Sequence, residues 1–165
     1  MKNEHYMLYL MAAVVFLLSA CASSNDSVSK AILKYPATDK VEPIFQINQA
    51  PSSCRVFSHL FATMPARMTT SDFAARIVEE AKSNGADMML VGQSRQCTTE
   101  SSLTYDYYGP DREYGVREWP GWSFGFDEWG EQGNWANIGQ DEWKKSDVLY
   151  DYPIVIQVVF LRCQQ

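Results

Sequence analysis

The sequence predicts an α+β domain, and three observations carry that expectation. An apolar stripe at helical spacing (Phe73, Ile77, Ala81) lies between two runs rich in branched and aromatic residues, Arg55 to Met64 and Ala86 to Gly92. A third run, Pro153 to Cys163, is apolar on both sides of any strand it forms, the mark of a central, covered strand. Between the second and third runs stands a long acidic segment that holds all five tryptophans. The expected architecture is a small βαβ-like unit plus a C-terminal central strand, with an aromatic-rich insertion at about 100–151 before that strand.

Taken in order, Met1 to Tyr6 is a short polar start in which Glu4 offsets Lys2. Met7 to Leu18 (MLYLMAAVVFLL) follows, twelve residues without a charge. A bilayer-spanning helix needs about 20 apolar residues, so this run has the length of a secretory signal core. Ser19, Ala20 and Ala22 supply the small-residue surroundings of a cleavage site. Leu18-Ser19-Ala20-Cys21 resembles a bacterial lipobox, the site where lipoprotein signal peptidase cuts before a cysteine that carries diacylglyceryl. The resemblance implies a signal peptide at 1–20, lipid attachment and N-acylation at Cys21, and a membrane anchor. Several acyl chains on one residue hold firmly, since each buried methylene contributes about 0.8 kcal/mol. The plainer alternative is an ordinary signal peptide with an incidental cysteine. Ala22-Ser23 lacks the aspartate that marks inner-membrane retention in enterobacterial lipoproteins, so the outer membrane is expected, with the domain facing the periplasm.

Ala22 to Lys30 (ASSNDSVSK) reads as a flexible tether. Ala31 to Pro51 reads as an extended lead-in, broken by Pro36 and Pro43, with a candidate edge strand at Ile44 to Ile47. Residues 21–50 thus hold the lipidated cysteine, tether and lead-in, and 51–165 form one domain. Cleavage before Cys21 leaves 145 of the 165 residues, enough for one core and too few for two.

Arg55 to Met64 is the first main strand and stops at Pro65. Thr69-Thr70-Ser71-Asp72 supplies an N-cap and an acidic first turn for the helix. Ala74 and Val78 widen its apolar stripe, Arg76 and Glu80 are spaced to pair on the outer side, and Asn84-Gly85 is a left-handed stop. Ala86 to Gly92 then returns as a strand toward Cys97. Connected this tightly, the two strands are expected to be parallel with a right-handed crossover. Pro153 opens the last strand, where its missing N–H falls at the end.

Besides Cys21 the cysteines are Cys54, Cys97 and Cys163. In an oxidising compartment two of these three would pair, leaving one over. No CxxC or CxxH spacing supports zinc, and neither a metal nor a cofactor is expected.

The core also resembles a group of small envelope lipoproteins. The shared features are Cys54 opening a strand, the turn Ser83-Asn84-Gly85-Ala86-Asp87 into an apolar strand, and the terminal Phe160-Leu161-Arg162-Cys163. The best-known protein of this style is the outer-membrane sensor lipoprotein of the Rcs stress pathway; most have no assigned function. The resemblance implies a Cys54–Cys163 disulfide, and an antiparallel last strand would set those two residues side by side. Cys97 departs from the two-disulfide pattern of the Rcs sensor, so signalling of that kind is an analogy of style.

Glu100 to Asp151 carries twelve acids against four bases, a charge of −8, which leaves +2 for the rest of the mature chain and −6 overall. That balance argues against nucleic acid as a partner. Trp119, Trp122, Trp129, Trp135 and Trp143 lie here behind Tyr105, Tyr107, Tyr108 and Tyr114, with glycines throughout and few aliphatics. Neither strand nor helix periodicity persists, so a long irregular excursion is expected, partly covering the sheet. Three readings compete for it: a loop whose rings pack locally, a peptidoglycan- or glycan-binding platform through Trp119, Trp122, Trp129 or Trp135, and a docking surface for an envelope protein. Asn134 and Asn137 beside Trp135 suit the second. Calcium at Asp127, Glu128 and Glu131 lacks EF-hand spacing.

No G-x-S-x-G, P-loop or H-E-x-x-H motif occurs. His59, the one histidine after the signal, falls inside a strand, and nothing places it beside Cys97 as a catalytic pair. The many carboxylates nominate no acid–base couple. The expectation is a lipid-anchored envelope protein with a structural, sensing or binding role and no catalysis, or, as the alternative, a glycan-binding lipoprotein acting through the tryptophan segment.

Overall fold

The computed structural model of the chain describes residues 33–99 and 102–163. The signal segment, Cys21 and the tether lie outside the described residues. Within them the architecture is α+β: a mixed sheet of seven strands, one long helix and one short one. No helix among the described residues is long and apolar enough to cross a membrane.

Three strands make the centre of the sheet. β2 (Cys54–Met64) and β3 (Met88–Gln96) flank β7 (Ile154–Cys163), which runs antiparallel to both. β2 and β3 therefore point the same way, as the tight strand–helix–strand connection predicts, but they are not neighbours. β7 separates them, a split form of the βαβ unit. The physical reason is in β7 itself: its first eight residues are buried, so it needs cover on both faces and a partner on each edge.

The helix α1 (Thr70–Ser83) closes one face of the sheet. Thr69 is its N-cap, with Oγ1 accepting from the Asp72 N–H at 3.1 Å. Phe73, Ala74, Ile77 and Ala81 are buried along the predicted stripe, against Phe57, Leu60 and Met64 of β2 and Ile156, Val158 and Phe160 of β7. The Glu80 carboxylate accepts from the Tyr107 hydroxyl and, at 2.8 Å, from the Asn84 amide. The expected Arg76 pairing gives way to these contacts because Tyr107 arrives from a strand that the sequence does not announce.

The helix stop is as expected. Gly85 has φ +84°, and a Cβ there would stand 2.6 Å from both the Pro36 carbonyl oxygen and Tyr35 Cβ. The crowding comes from the lead-in, which is packed on the domain. Tyr35 meets Phe57 edge-on at 5.1 Å, Arg162 lies over its ring at 5.4 Å, and its hydroxyl donates to Glu113. Arg162 Nη1 in turn donates to the Gly85 carbonyl at 2.6 Å.

The edges differ in detail from the expectation. β1 (Glu42–Ile44) pairs parallel with β3, so the edge strand lies earlier than Ile44 to Ile47, and Ile47–Gln49 is a 3-10 turn. Gln49 Oε1 accepts from the Phe45 and Gln46 N–H groups at 2.8 Å each, which turns the chain away from the sheet.

The insertion is more regular than its composition suggests. β4 (Thr104–Gly109) adds a six-residue antiparallel strand to the outer edge of β2, and β5 (Tyr114–Gly115) continues that edge. The short helix α2 (Phe126–Gly130) and β6 (Trp135–Ala136), paired with β3, follow. β4 does alternate: Tyr105 and Tyr107 pack on the helix-side core while Asp106 between them is exposed.

Cys54 and Cys163 are directly opposed in the β2–β7 register and form a disulfide that spans 109 residues. Cys97, the remaining described cysteine, is buried beside Phe61, Trp129 and Val155.

Candidate functional site

The sheet face away from α1 is apolar and would be open without the insertion. Val56 and Phe61 of β2, Met88 and Leu90 of β3, and Val155, Val159 and Leu161 of β7 line it. A two-faced sheet of buried strands demands a second layer. The tryptophan segment supplies it.

The four tryptophans that the sequence offers for ligand binding, Trp119, Trp122, Trp129 and Trp135, take different positions in the structure. Trp119 and Trp122 stack edge to face at 5.3 Å and are half-buried against the disulfide end of this face. Trp122 reaches the strand itself at Gly92. Trp129, on α2, is 6 % exposed and lies 5.5 Å from Phe61. Trp135 is 63 % exposed. Trp143 goes elsewhere, into the helix-side core, 6.0 Å from Phe45. Of the four, then, Trp135 alone is presented broadly to solvent.

Trp135 is held from behind. The Arg95 guanidinium lies 5.1 Å from its ring and 5.7 Å from that of Trp129, while the two indoles are 6.2 Å apart. Arg95 Nε donates to the Gly133 carbonyl at 2.8 Å and Nη1 to that of Trp129 at 2.7 Å. The Gln96 N–H donates to the Asn134 carbonyl at 2.7 Å, and the Gly133 N–H to the Gln96 carbonyl at 2.8 Å. An exposed indole on a backbone fixed in this way loses little freedom when a ligand stacks on it. Phe126 on α2 is a second exposed ring, and Asn134 and Asn137 are exposed on either side of Trp135. The acids Asp127, Glu128 and Glu131 are exposed on and just after α2.

Sequence reasoning did not find Arg95. Its one signal is its place at the end of β3, two residues before Cys97, where a charged side chain in an apolar strand needs a partner.

Beneath Trp122 lies a polar interior that the sequence hinted at only through His59. His59 is fully buried, with Trp122, Phe124 and Phe61 rings at 5.2, 5.8 and 6.2 Å. Neither ring nitrogen has a hydrogen-bond partner, so no Cys–His pair forms. Burial pushes the imidazole down from 6.5 to about 4. Gln157 of β7 is buried too, and its Oε1 is unpartnered.

Elsewhere the surface hollows include one of about 450 Å³ lined by Ala37, Thr38, Asp39, Lys40, Glu42 and Asp87, and another of about 500 Å³ lined by Ile47, Asn48, Ala50, Ser52, Val116 and Arg117. No tryptophan lines either. Among the described residues no group of three His, Cys, Asp or Glu side chains is arranged to hold a metal ion. The chain matches no protein-family model, no curated protein sequence and no solved structure.

Proposed function

We propose that the chain is a lipid-anchored protein of the cell envelope, held in the outer membrane through Cys21, which binds or senses rather than catalyses. The observation that carries this reading is Leu18-Ser19-Ala20-Cys21 behind an uncharged run of twelve residues. The Cys54–Cys163 disulfide suits an oxidising compartment, and the likeness of the core to small envelope lipoproteins points the same way. The insertion also covers a sheet face, which is the work of a layer and not of a catalytic cleft. The test is acyl labelling and membrane fractionation of wild type and Cys21→Ser. Loss of both label and membrane association in the variant is expected. A variant that stays membrane-bound refutes the anchor.

The exposure of Trp135 on its Arg95 backing favours a second reading, binding of the sugar faces of a glycan such as a peptidoglycan strand. A flat ring stacks on a sugar face while the flanking asparagines bond hydroxyls. Sedimentation of the protein with purified peptidoglycan should be lost in Trp135→Ala and kept in Trp143→Phe. No sedimentation of the wild type sinks the glycan reading and leaves the anchor untouched.

A further inference from the structure

Near the disulfide, the stretch around the 3-10 turn Ile47–Gln49 and the turn that follows β5 line a hollow that neither reading uses. It holds about 500 Å³, and its apolar wall is Ile47, Ala50 and Val116, all half-buried. Asn48, Ser52 and Arg117 complete the lining. A second hollow of about 290 Å³ shares Ser52, Val116 and Arg117 with the first and adds Arg55, Gly115 and Glu118. The two adjoin, so apolar surface in one part meets charge in the other.

Both walls are fixed by their own backbone. The Ala50 N–H donates to the Ile47 carbonyl at 3.1 Å and the Cys54 N–H to that of Pro51 at 3.0 Å. Across the hollow the Glu118 and Trp119 N–H groups share the Gly115 carbonyl at 2.9 and 3.0 Å. A site already set in tight turns loses little freedom when it is filled. Its charges are also spare. The segment 100–151 holds twelve acids against four bases, yet among the described residues Arg117 makes no ion pair. Glu118 makes none either, and Arg112 lies over the Tyr114 ring at 4.6 Å instead of pairing with it. Arg55 stands 3.9 Å from Glu113, one long contact for a guanidinium that has five N–H donors.

We propose that these joined hollows bind a small zwitterion with an aliphatic side chain, a free amino acid or a dipeptide. Its carboxylate takes Arg117 and Arg55, its ammonium takes Glu118, and its side chain lies on Ile47, Ala50 and Val116. A guanidinium fork matches a carboxylate with two parallel bonds, which no neutral group accepts as well. Glu118 selects against a plain fatty acid, whose single negative charge it repels. Pockets for small molecules start at about 300 Å³, so the space suits a ligand of this size. The charged groups stay within reach of water, so binding is weak and falls as salt is added. The site depends on neither the lipid anchor nor Trp135.

Equilibrium dialysis of the whole protein at neutral pH and low salt, against radiolabelled leucine and separately against leucyl-leucine, tests it. Saturable binding is expected, and the tighter of the two ligands says whether the site takes an amino acid or a peptide. Arg117→Ala should weaken binding about tenfold, the loss of a bond between charged groups. Arg117 is exposed on a turn, so this variant keeps the fold. Arg76→Ala, an exposed arginine on α1, should leave binding unchanged. Leucinamide, which lacks the carboxylate, and N-acetyl-leucine, which lacks the ammonium, should each compete about tenfold less well than leucine. No saturable binding of either ligand overturns the site, as does equal weakening in Arg76→Ala. An analogue that competes as well as leucine overturns the zwitterion. Neither failure touches the anchor or the glycan reading, which are decided by Cys21→Ser and Trp135→Ala.

Discussion

The indole of Trp122 occupies the space that a side chain would need at residue 92: a Cβ on Gly92 would stand 2.5 Å from Cη2 and 2.6 Å from Cζ2. Glycine inside a strand ordinarily weakens it, and its use commonly marks a close approach. Here the approach is by the ring that seals His59. Gly92→Ala should cost about 1–3 kcal/mol, the range for overpacking a filled site, with a red shift of tryptophan emission as Trp122 is pushed outward. Urea unfolding measures it. Gly130→Ala, where an added Cβ meets nothing within 4 Å, is the control and should change stability little.

That contact also shows what a one-dimensional reading could reach. The stripe of Phe73, Ile77 and Ala81, the cap at Thr69 and the stop at Gly85 are local rules, and each appears where its residues predict. β7 could be read as central because it is apolar on both sides. Its position between β2 and β3 could not, since strand order is decided by edges and not by periodicity. β4 is hard to read because its alternation is carried by Tyr105 and Tyr107, which in a Tyr-rich segment look like composition. At the site, nomination by residue type found Trp135 but could not separate it from Trp129, because both lie in the same kind of sequence. Burial separates them, and burial depends on Phe61 and Arg95, which are distant in the chain.

The disulfide joins the start of β2 to the end of β7 across 109 residues. Removing a crosslink of that span frees the unfolded chain, and the usual cost is about 2–5 kcal/mol. Cys54→Ala with Cys163→Ala should lower the denaturation midpoint accordingly. Wild type treated with a thiol reductant should fall to the same value. A midpoint that does not move on reduction would mean that the pair is not crosslinked in the folded protein.

Alkali should destabilise the domain through its tyrosines. Burial is the leading cause that pushes Tyr35, Tyr105 and Tyr108 up from 10.0 to about 12, and Tyr107 is raised as well by burial and by its bond to Glu80. A raised acid favours the neutral form in the fold, so stability is complete below pH 10 and is lost as pH climbs from there toward 12. Titration of the 295 nm absorbance should show these phenols ionising later in folded than in urea-unfolded protein. Tyr107→Phe should cost about 1–2 kcal/mol at pH 7, since it removes a donor to a carboxylate that keeps Asn84.

Arg95 should tolerate no substitute, lysine included. Its planar head donates to two backbone carbonyls, those of Gly133 and Trp129, while lying against two indoles. A lysine ammonium can reach one carbonyl but cannot stack as a plane or span both acceptors. Bonds from a charged donor contribute about 1.5–3 kcal/mol each, so Arg95→Lys should lose about that much and Arg95→Met more. The loss should be local in character: Trp135 gains motion, its fluorescence anisotropy falls, and any glycan affinity falls with it. Arg95→Lys retaining wild-type stability and anisotropy would show that the loop 129–135 is held by its strand pairing to β3 and not by the guanidinium.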